Sequence, residues 1–117
     1  MRLNEVIFDG SLPVDGYGPG FFRVGGKVHQ GAILVTPAGL LSWGGLTDID
    51  ALNALAGTVD VLFVGTGADI AHLPQALRVA MDAAGVGAEP MSSPAACRAY
   101  NLLLSEGRRV ALAAIPV

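Results

Sequence analysis

Cysteine is nearly absent from this sequence, and its scarcity limits which classes of fold are possible. Cys97 is the single cysteine among 117 residues, so no internal disulfide can form. Small secreted domains that cannot build a large core usually depend on several disulfides. The chain is therefore not a disulfide scaffold, and its cysteine usage fits a reducing compartment.

Charge is also scarce. Charged residues make up 15% of the chain, the net charge is −3, and the basic residues are scattered apart from Arg108 and Arg109. Because binding to phosphate backbones requires a basic surface, we expect no nucleic-acid partner. A sparsely charged surface offers little repulsion between copies, so we expect a homo-oligomer.

Long hydrophobic runs are missing. The apolar run Val59–Val64 is interrupted by Asp60, and no run in the sequence approaches the length of a membrane span, which needs about 20 apolar residues. The chain becomes polar directly after Met1 and shows no signal-peptide pattern. The apolar fraction is nevertheless 52%, which favours a compact core. We expect a soluble, cytoplasmic protein with a single domain over residues 1–117.

Short apolar segments separated by turn signals occupy residues 1–46. Pro37-Ala38-Gly39 predicts a hairpin turn, and Gly25-Gly26 separates another pair of segments. Gly16–Gly20, which contains Tyr17, predicts a loop. The segments that predict strands are Val6–Phe8, Phe21–Val24, Lys27–Gln30, Ala32–Thr36 and Leu40–Trp43.

Residues 47–117 alternate between strand and helix patterns. Thr47 with Asp50 predicts the start of a helix that ends at Gly57. Further helices are predicted from Pro74 to Ala84 and from a Ser93 cap to Gly107, and strands at Val59–Val64, Gly87–Met91 and Val110–Ile115. This alternation predicts a layered α/β fold, in which the preceding hairpins make the sheet mixed or add a second β layer. The polarity of the last strand stays open.

Cys97 is the first candidate for chemistry. It lies in the first turn of the last predicted helix, where the helix dipole favours a thiolate. A helical wheel, however, places it in one arc with Ala96, Tyr100 and Leu103, which predicts a buried, packing cysteine. No histidine is near it in the sequence, so we favour packing over nucleophilic catalysis.

Gly65-Thr66-Gly67 follows a predicted buried strand and invites comparison with phosphate-binding loops. The third glycine of a dinucleotide fingerprint would fall at Ile70, and Asp69 would repel an anion. A turn at the end of the strand is therefore the favoured interpretation. A cleft formed by this turn together with Ser92 and Ser93 remains the alternative, because both segments follow sheet strands.

Polar side chains after Cys97 offer binding groups. Arg98 lies away from the apolar arc, where it can grip a carboxylate or phosphate or hold a structural partner. Tyr100 and Asn101 can bridge loops, and we predict a structural hydrogen bond for Asn101.

Trp43 ends a predicted hairpin strand. It is interpreted as a partly buried anchor, and an exposed indole there would suit an interface. His29 and His72 are isolated, so the sequence predicts neither a metal site nor a cofactor.

The chain resembles a known family through motifs in a specific order. They are Gly20–Val24, Gly31–Pro37, Trp43, Leu62–Gly67, Gly85–Met91, Ala95–Arg98, Tyr100–Leu103 and Glu106–Ala111. In this order they are similar to the small domain family, largely of unknown function, that includes the third mitochondrial assembly factor of respiratory complex I and an adipogenesis-associated vertebrate homologue. The family usually has threonine where this chain has Ala99, so that hydroxyl is absent here.

The resemblance implies a three-layer α/β fold, with a central mixed sheet flanked by helices and an additional N-terminal β layer. It implies no established enzyme activity and no cofactor. It implies that the protein acts by binding other proteins, including peripheral association with a membrane complex.

Two hypotheses follow. One is a non-enzymatic, assembly-factor-like protein-binding module with an exposed apolar patch at Trp43 or Gly16–Phe22. The alternative is a small-molecule-binding protein or enzyme that uses a cleft near Gly65–Gly67 and Ser92–Arg98.

Overall fold

The computed structural model of this protein describes residues 11–117. The strands are β1 Val14–Gly18, β2 Phe21–Val24, β3 Lys27–Gln30, β4 Ile33–Thr36, β5 Gly39–Ser42, β6 Val61–Thr66, β7 Gly87–Met91 and β8 Val110–Ile115. The helices are a 3-10 helix at Asp50–Leu55, α1 at Gln75–Ala84 and α2 at Ser93–Ser105. The predicted strand Val6–Phe8 lies outside the described residues. The other predicted strands are confirmed within two residues of the expected bounds.

Five strands form a mixed central sheet in the order β5-β4-β8-β6-β7. β8 runs parallel to β6 and antiparallel to β4, which settles the polarity that the sequence left open. β6 and β7 are also parallel, with Gly65 opposite Met91. The carboxyl ends of β6, β7 and β8 therefore meet at one end of the sheet, as the cleft hypothesis requires.

Both faces of the central sheet are covered. Alternate residues of β8 separate the two cores: Ala111 and Ala113 face the layer of α1 and the 3-10 helix, while Leu112 and Ala114 face the layer of α2. The second layer also contains a three-stranded antiparallel sheet in the order β1-β2-β3, which contributes Val14, Phe22 and Val24 to the core. The expected three-layer α/β fold with an additional β layer is confirmed.

Helix α1 follows its sequence pattern closely. Leu77 and Met81 are its buried residues, and Val79 on the opposite side is exposed. Gly85 ends the helix with φ of 73°, in the left-handed conformation that glycine adopts without strain. No helix within residues 11–117 is long and apolar enough to cross a membrane.

The loop predicted at Gly16–Gly20 is wrong for most of its length. β1 extends to Gly18 and pairs with β2, after a register shift between Val14 and Gly16. The ring of Phe21 occupies the space beside Gly18 where a side chain would stand. Glycine disfavours strands, but pairing with β2 and the aromatic cover override that preference.

The helix predicted from Thr47 to Gly57 is also wrong in type and start. The structure has a 3-10 helix at Asp50–Leu55, without a side-chain cap from Ile49, the residue at its N-cap position. Asp48 instead holds the preceding loop, since its carboxylate accepts the Gly44 N–H at 2.9 Å. Leu52 and Leu55 are the buried residues, and their spacing of three matches the period of a 3-10 helix.

Candidate functional site

Gly65-Thr66-Gly67 and Ser93 meet at the carboxyl ends of β6 and β7. The Ser93 backbone N–H donates to the Gly67 carbonyl at 2.7 Å, and the Gly67 N–H donates to Ser93 Oγ at 2.9 Å. Ser93 Oγ in turn donates to the Ile115 carbonyl at the end of β8. One buried serine, two residues after β7, therefore hydrogen-bonds to the ends of both β6 and β8.

Gly65 is packed directly against Ser93. A Cβ built on Gly65 would lie 2.6 Å from Ser93 Oγ and 2.8 Å from Ser93 Cα, closer than such atoms can approach. Glycine is thus required here by the close approach of α2, and the space between the two strand ends is filled by protein atoms. We call the cluster of Gly65, Gly67 and Ser93 the strand-end clasp.

The prediction that Ser93 caps α2 is wrong by one residue. The N-cap is Ser92, whose side chain accepts from the Ala95 N–H at 3.4 Å. Ser93 is the first helical residue, 1% exposed, and its hydroxyl points into the strand-end clasp. Both serines suit a cap by residue type, and the tertiary contact with Gly65 decides between them.

Thr66 also uses its hydroxyl within the protein. Its Oγ1 accepts from the Ala71 N–H at 2.9 Å and lies 2.7 Å from the Asp69 carbonyl and 3.1 Å from the Met91 carbonyl. A phosphate-binding loop needs free backbone N–H groups, whereas the Gly67 N–H is donated to Ser93. Gly65 and Thr66 are the last residues of β6 and the bend begins at Gly67, so the turn predicted at residues 65–67 starts two residues later than expected.

Cys97 packs in the core between α2 and the central sheet. Its side chain is 4% exposed, as the helical wheel predicts. Burial raises the pKa of the thiol to about 11, against a smaller opposite effect of the Arg98 charge. The thiol is therefore neutral at physiological pH, which is unfavourable for a nucleophile.

Tyr100 and Asn101 attach β1 and the residues just before it to α2. The Tyr100 hydroxyl is fully buried and donates to the Leu12 carbonyl at 2.7 Å. The Asn101 side-chain amide forms two 2.8 Å bonds with the Val14 backbone, accepting its N–H and donating to its carbonyl. The predicted structural hydrogen bond of Asn101 is confirmed. Arg98 points away from the core and is exposed.

Trp43 is not an exposed interface residue. Its side chain is 5% exposed, and its Nε1–H donates to the Asp48 carbonyl at 3.0 Å. The exposed patch predicted at Trp43 is therefore wrong, because the loop before the 3-10 helix folds over the indole. In the Gly16–Phe22 segment Phe22 is buried, while Tyr17 is 45% exposed.

The histidines do not converge on a metal site. His29 lies in β3 and His72 precedes α1. The part of the chain from residue 11 onward contains no group of three or more histidine, cysteine or acidic residues suited to a metal ion.

In the part of the chain that the structure describes, β5 is an edge strand of the central sheet, which the sequence patterns did not reveal. Leu41 is 57% exposed there, beside an apolar groove of about 360 Å³ between the β4–β5 hairpin and the 3-10 helix. The groove is lined by Leu34, Thr36, Pro37, Ala38, Leu41, Ala51, Ala54, Leu55 and Thr58. The available signal was the complete lack of charged residues from 31 to 47.

Comparison with known proteins gives relatives over most of the chain. An uncharacterized protein of Rhodobacter capsulatus is 57% identical over 117 residues, which is all of this chain and 94% of that protein. The NADH dehydrogenase (ubiquinone) 1 alpha subcomplex assembly factor 3 of Danio rerio is 32% identical over 107 residues. That match covers 86% of this chain, which spans 62% of the length of the zebrafish protein.

A solved structure has the same fold. The crystal structure of a protein from Bartonella henselae, described as an outer membrane protein, matches with a TM-score of 0.85 and 34% identity. The match covers 94% of this chain and 98% of that one. Residues 14–115 match the model of a family described as "Protein of unknown function (DUF498/DUF598)". The chain belongs to this family, which has complex I assembly factors among its relatives.

Proposed function

We propose that this protein is a non-catalytic binding module that acts through protein contacts, in the manner of an assembly factor. The observation that carries the proposal is the internal use of the site-like polar groups. The hydroxyls of Thr66, Ser93 and Tyr100 and the amide of Asn101 all bond to the chain's own backbone. These groups brace the fold, and binding is left to the exposed surface.

The relatives support the same role. The zebrafish and human proteins are named assembly factors of NADH dehydrogenase, with 32% and 29% identity to this chain. An assembly factor acts by binding other proteins. We infer a protein partner for this chain, a cytoplasmic site of action, and peripheral contact with a membrane complex as the setting.

Exposed apolar side chains provide places for such contacts. Tyr17, Ile70, Val79 and Leu102 are between 45% and 65% exposed and lie on different elements of the fold. The buried core of a protein interface is richer in apolar groups than its rim and is depleted of charged residues. The partner surface is therefore sought among these positions.

Affinity capture from a native extract tests the proposal. The wild-type protein and four variants, Tyr17→Asp, Ile70→Asp, Val79→Asp and Leu102→Asp, are compared by quantitative mass spectrometry. We expect one reproducible protein partner that a single variant loses while circular dichroism shows an unchanged fold. A recovery from wild type identical to that from the tag alone would contradict the proposal.

The alternative, a ligand-binding or catalytic cleft near Gly65–Gly67 and Ser92–Arg98, predicts a reactive thiol. Iodoacetamide labelling of native protein tests it against labelling in denaturant. We expect Cys97 to react only after unfolding, because it is 4% exposed and its pKa is raised. Rapid labelling of the native protein would favour the cleft.

A further inference from the structure

Within residues 11–117, the backbone of β5 has hydrogen-bonding groups along one side that pair with no other strand. The Trp43 N–H donates to the Ala32 carbonyl at 3.0 Å, so the residues at 43 and 41 turn their backbone groups toward β4. The N–H and carbonyl groups of Leu40 and Ser42 therefore point away from the sheet. A strand of another chain can pair with them.

The other sheet edges within residues 11–117 carry features that hinder pairing with a copy of themselves. β7 contains Glu89 and Pro90, β3 contains Lys27, and β1 contains Asp15 and an irregular register. Like charges placed opposite each other destabilise paired strands, and proline lacks the N–H that pairing needs. β5 contains no charged residue and no proline.

The side chain of Leu41 adds an apolar contact to this free edge. It lies opposite Leu34 in the β4–β5 pair and so projects from the same face, beside the groove against the 3-10 helix. The Leu41 side chain is 57% exposed. A partner strand would cover it and extend the groove.

We propose that two copies of this chain pair through β5, antiparallel about a two-fold axis at Leu41. In this register Leu41 faces the partner's Leu41, and Leu40 faces Ser42 across the axis on each side. Every outward N–H and carbonyl of Leu40 and Ser42 then has a partner, since each such pair exchanges both hydrogen bonds. Centring the axis on Leu40 would instead leave Ser42 opposite Ala38 in the turn.

A second copy is the occupant that the charges favour. In a two-fold dimer each surface meets a copy of itself, so a charge near the axis faces a like charge, and only an uncharged patch avoids that local repulsion. The whole segment 31–47, which includes β5 and its flanks, meets this condition. Because the strand is short, the interface falls near the lower end of the size range of specific complexes, below about 1,200 Å². The dimer is therefore in concentration-dependent exchange with monomer.

Sedimentation equilibrium over a wide concentration range tests this inference on the full chain. We expect wild type to pass from monomer to dimer, and Leu41→Lys to raise the dissociation constant at least tenfold by placing two ammonium groups face to face. Ser42→Pro, which removes an outward N–H, has the same expected effect without adding charge. Leu102→Lys is the matched control, because Leu102 is 59% exposed on α2 and its variant leaves the dimer intact.

A cysteine at the two-fold axis tests the register. Leu41→Cys places two thiols opposite each other in a non-hydrogen-bonded pair, where the side chains are closest. With copper–phenanthroline as oxidant we expect a disulfide-linked dimer, while Leu102→Cys stays monomeric under the same conditions. Cys97 is buried and does not compete with the introduced cysteine for disulfide formation.

A wild-type chain that remains monomeric at all concentrations would overturn the inference. Equal cross-linking of Leu41→Cys and Leu102→Cys would also overturn it. The inference does not depend on the proposed binding of another protein.

Discussion

The strand-end clasp and the β5 edge are two strand-rich regions with opposite characters. The clasp has glycine and serine at the ends of parallel strands, a sequence pattern typical of binding sites. Its hydrogen-bonding groups nevertheless bond to one another, and Gly65 touches Ser93. The β5 edge has an ordinary apolar sequence, yet its outward backbone groups have no partner strand among residues 11–117.

The difference shows that residue type alone does not separate binding groups from structural ones. A polar group is available to a ligand only when the fold does not already use it. In the clasp, burial makes each internal bond necessary, because an unpaired polar group there would be costly. At β5, solvent satisfies the free groups until another strand replaces it.

The largest expected effect comes from filling the clasp. Gly65→Ala forces a Cβ against the Ser93 backbone, and overpacking of this kind costs up to about 3 kcal/mol of unfolding free energy. Gly87→Ala is the matched control, since its new Cβ would lie 3.7 Å from the nearest atom, the Asp60 carbonyl oxygen. Chemical denaturation of both variants measures the difference. Equal stability would mean that the clasp is loose enough to admit a ligand.

A smaller loss is expected when the buried hydroxyl is removed. Ser93→Ala leaves the Gly67 N–H without its acceptor and the Ile115 carbonyl without its donor, which costs about 2 kcal/mol. Ser92→Ala removes a weak cap and costs about 0.5 kcal/mol. Thermal and urea unfolding distinguish the two serines. A larger loss of stability for Ser92→Ala than for Ser93→Ala would contradict the assignment of Ser93 as the buried structural serine.

The stability of the protein at alkaline pH tests whether the Cys97 thiol is buried. The pKa of Cys97 is about 11 in the folded protein against an ordinary value of 9.0, so the unfolded chain loses its thiol proton first as the pH rises. This contribution to stability is intact below pH 9 and falls by about 1 kcal/mol at pH 10. Burial also raises the pKa of Tyr100, which acts in the same direction at higher pH.

Urea unfolding of wild type and Cys97→Ala between pH 7 and pH 10 measures this effect. The alanine variant has a constant loss from reduced packing, and its stability should decline less steeply with pH. Parallel curves for the two proteins would show that the thiol is accessible to water in the folded state.

Much of the fold could be predicted from local patterns. The apolar run of β6 indicated a strand covered on both faces, and the helical wheel placed Cys97 and Tyr100 inward. The role of Ser93 could not be predicted, because its choice over Ser92 depends on Gly65, distant in the sequence. β1 was missed because pairing with β2 overrides its glycines.

The 3-10 helix and the β5 edge show a second limit. Thr47 and Asp50 have the spacing of a helix cap, but Asp48 binds the Gly44 N–H and delays the helical start. Whether β5 lies at the edge or the centre of the sheet depends on strand order, which its own residues do not determine. The missing charge from 31 to 47 was visible, but its meaning required the topology.

The smallest expected effect on stability is at the β5 edge. Leu41 is 57% exposed, so Leu41→Lys should change the unfolding free energy of the monomer by less than about 0.5 kcal/mol.

Amide hydrogen exchange gives a sharper contrast between the β5 edge and the clasp. In dilute protein the Leu40 and Ser42 amides should exchange rapidly, because they point away from β4, while the Gly67 amide, bonded to Ser93, is protected. Raising the concentration should slow Leu40 and Ser42 in wild type but not in Leu41→Lys, since only paired β5 strands shield them. Protection of these two amides in the dilute monomer would mean that the edge is already covered, and the contrast between the two regions would disappear.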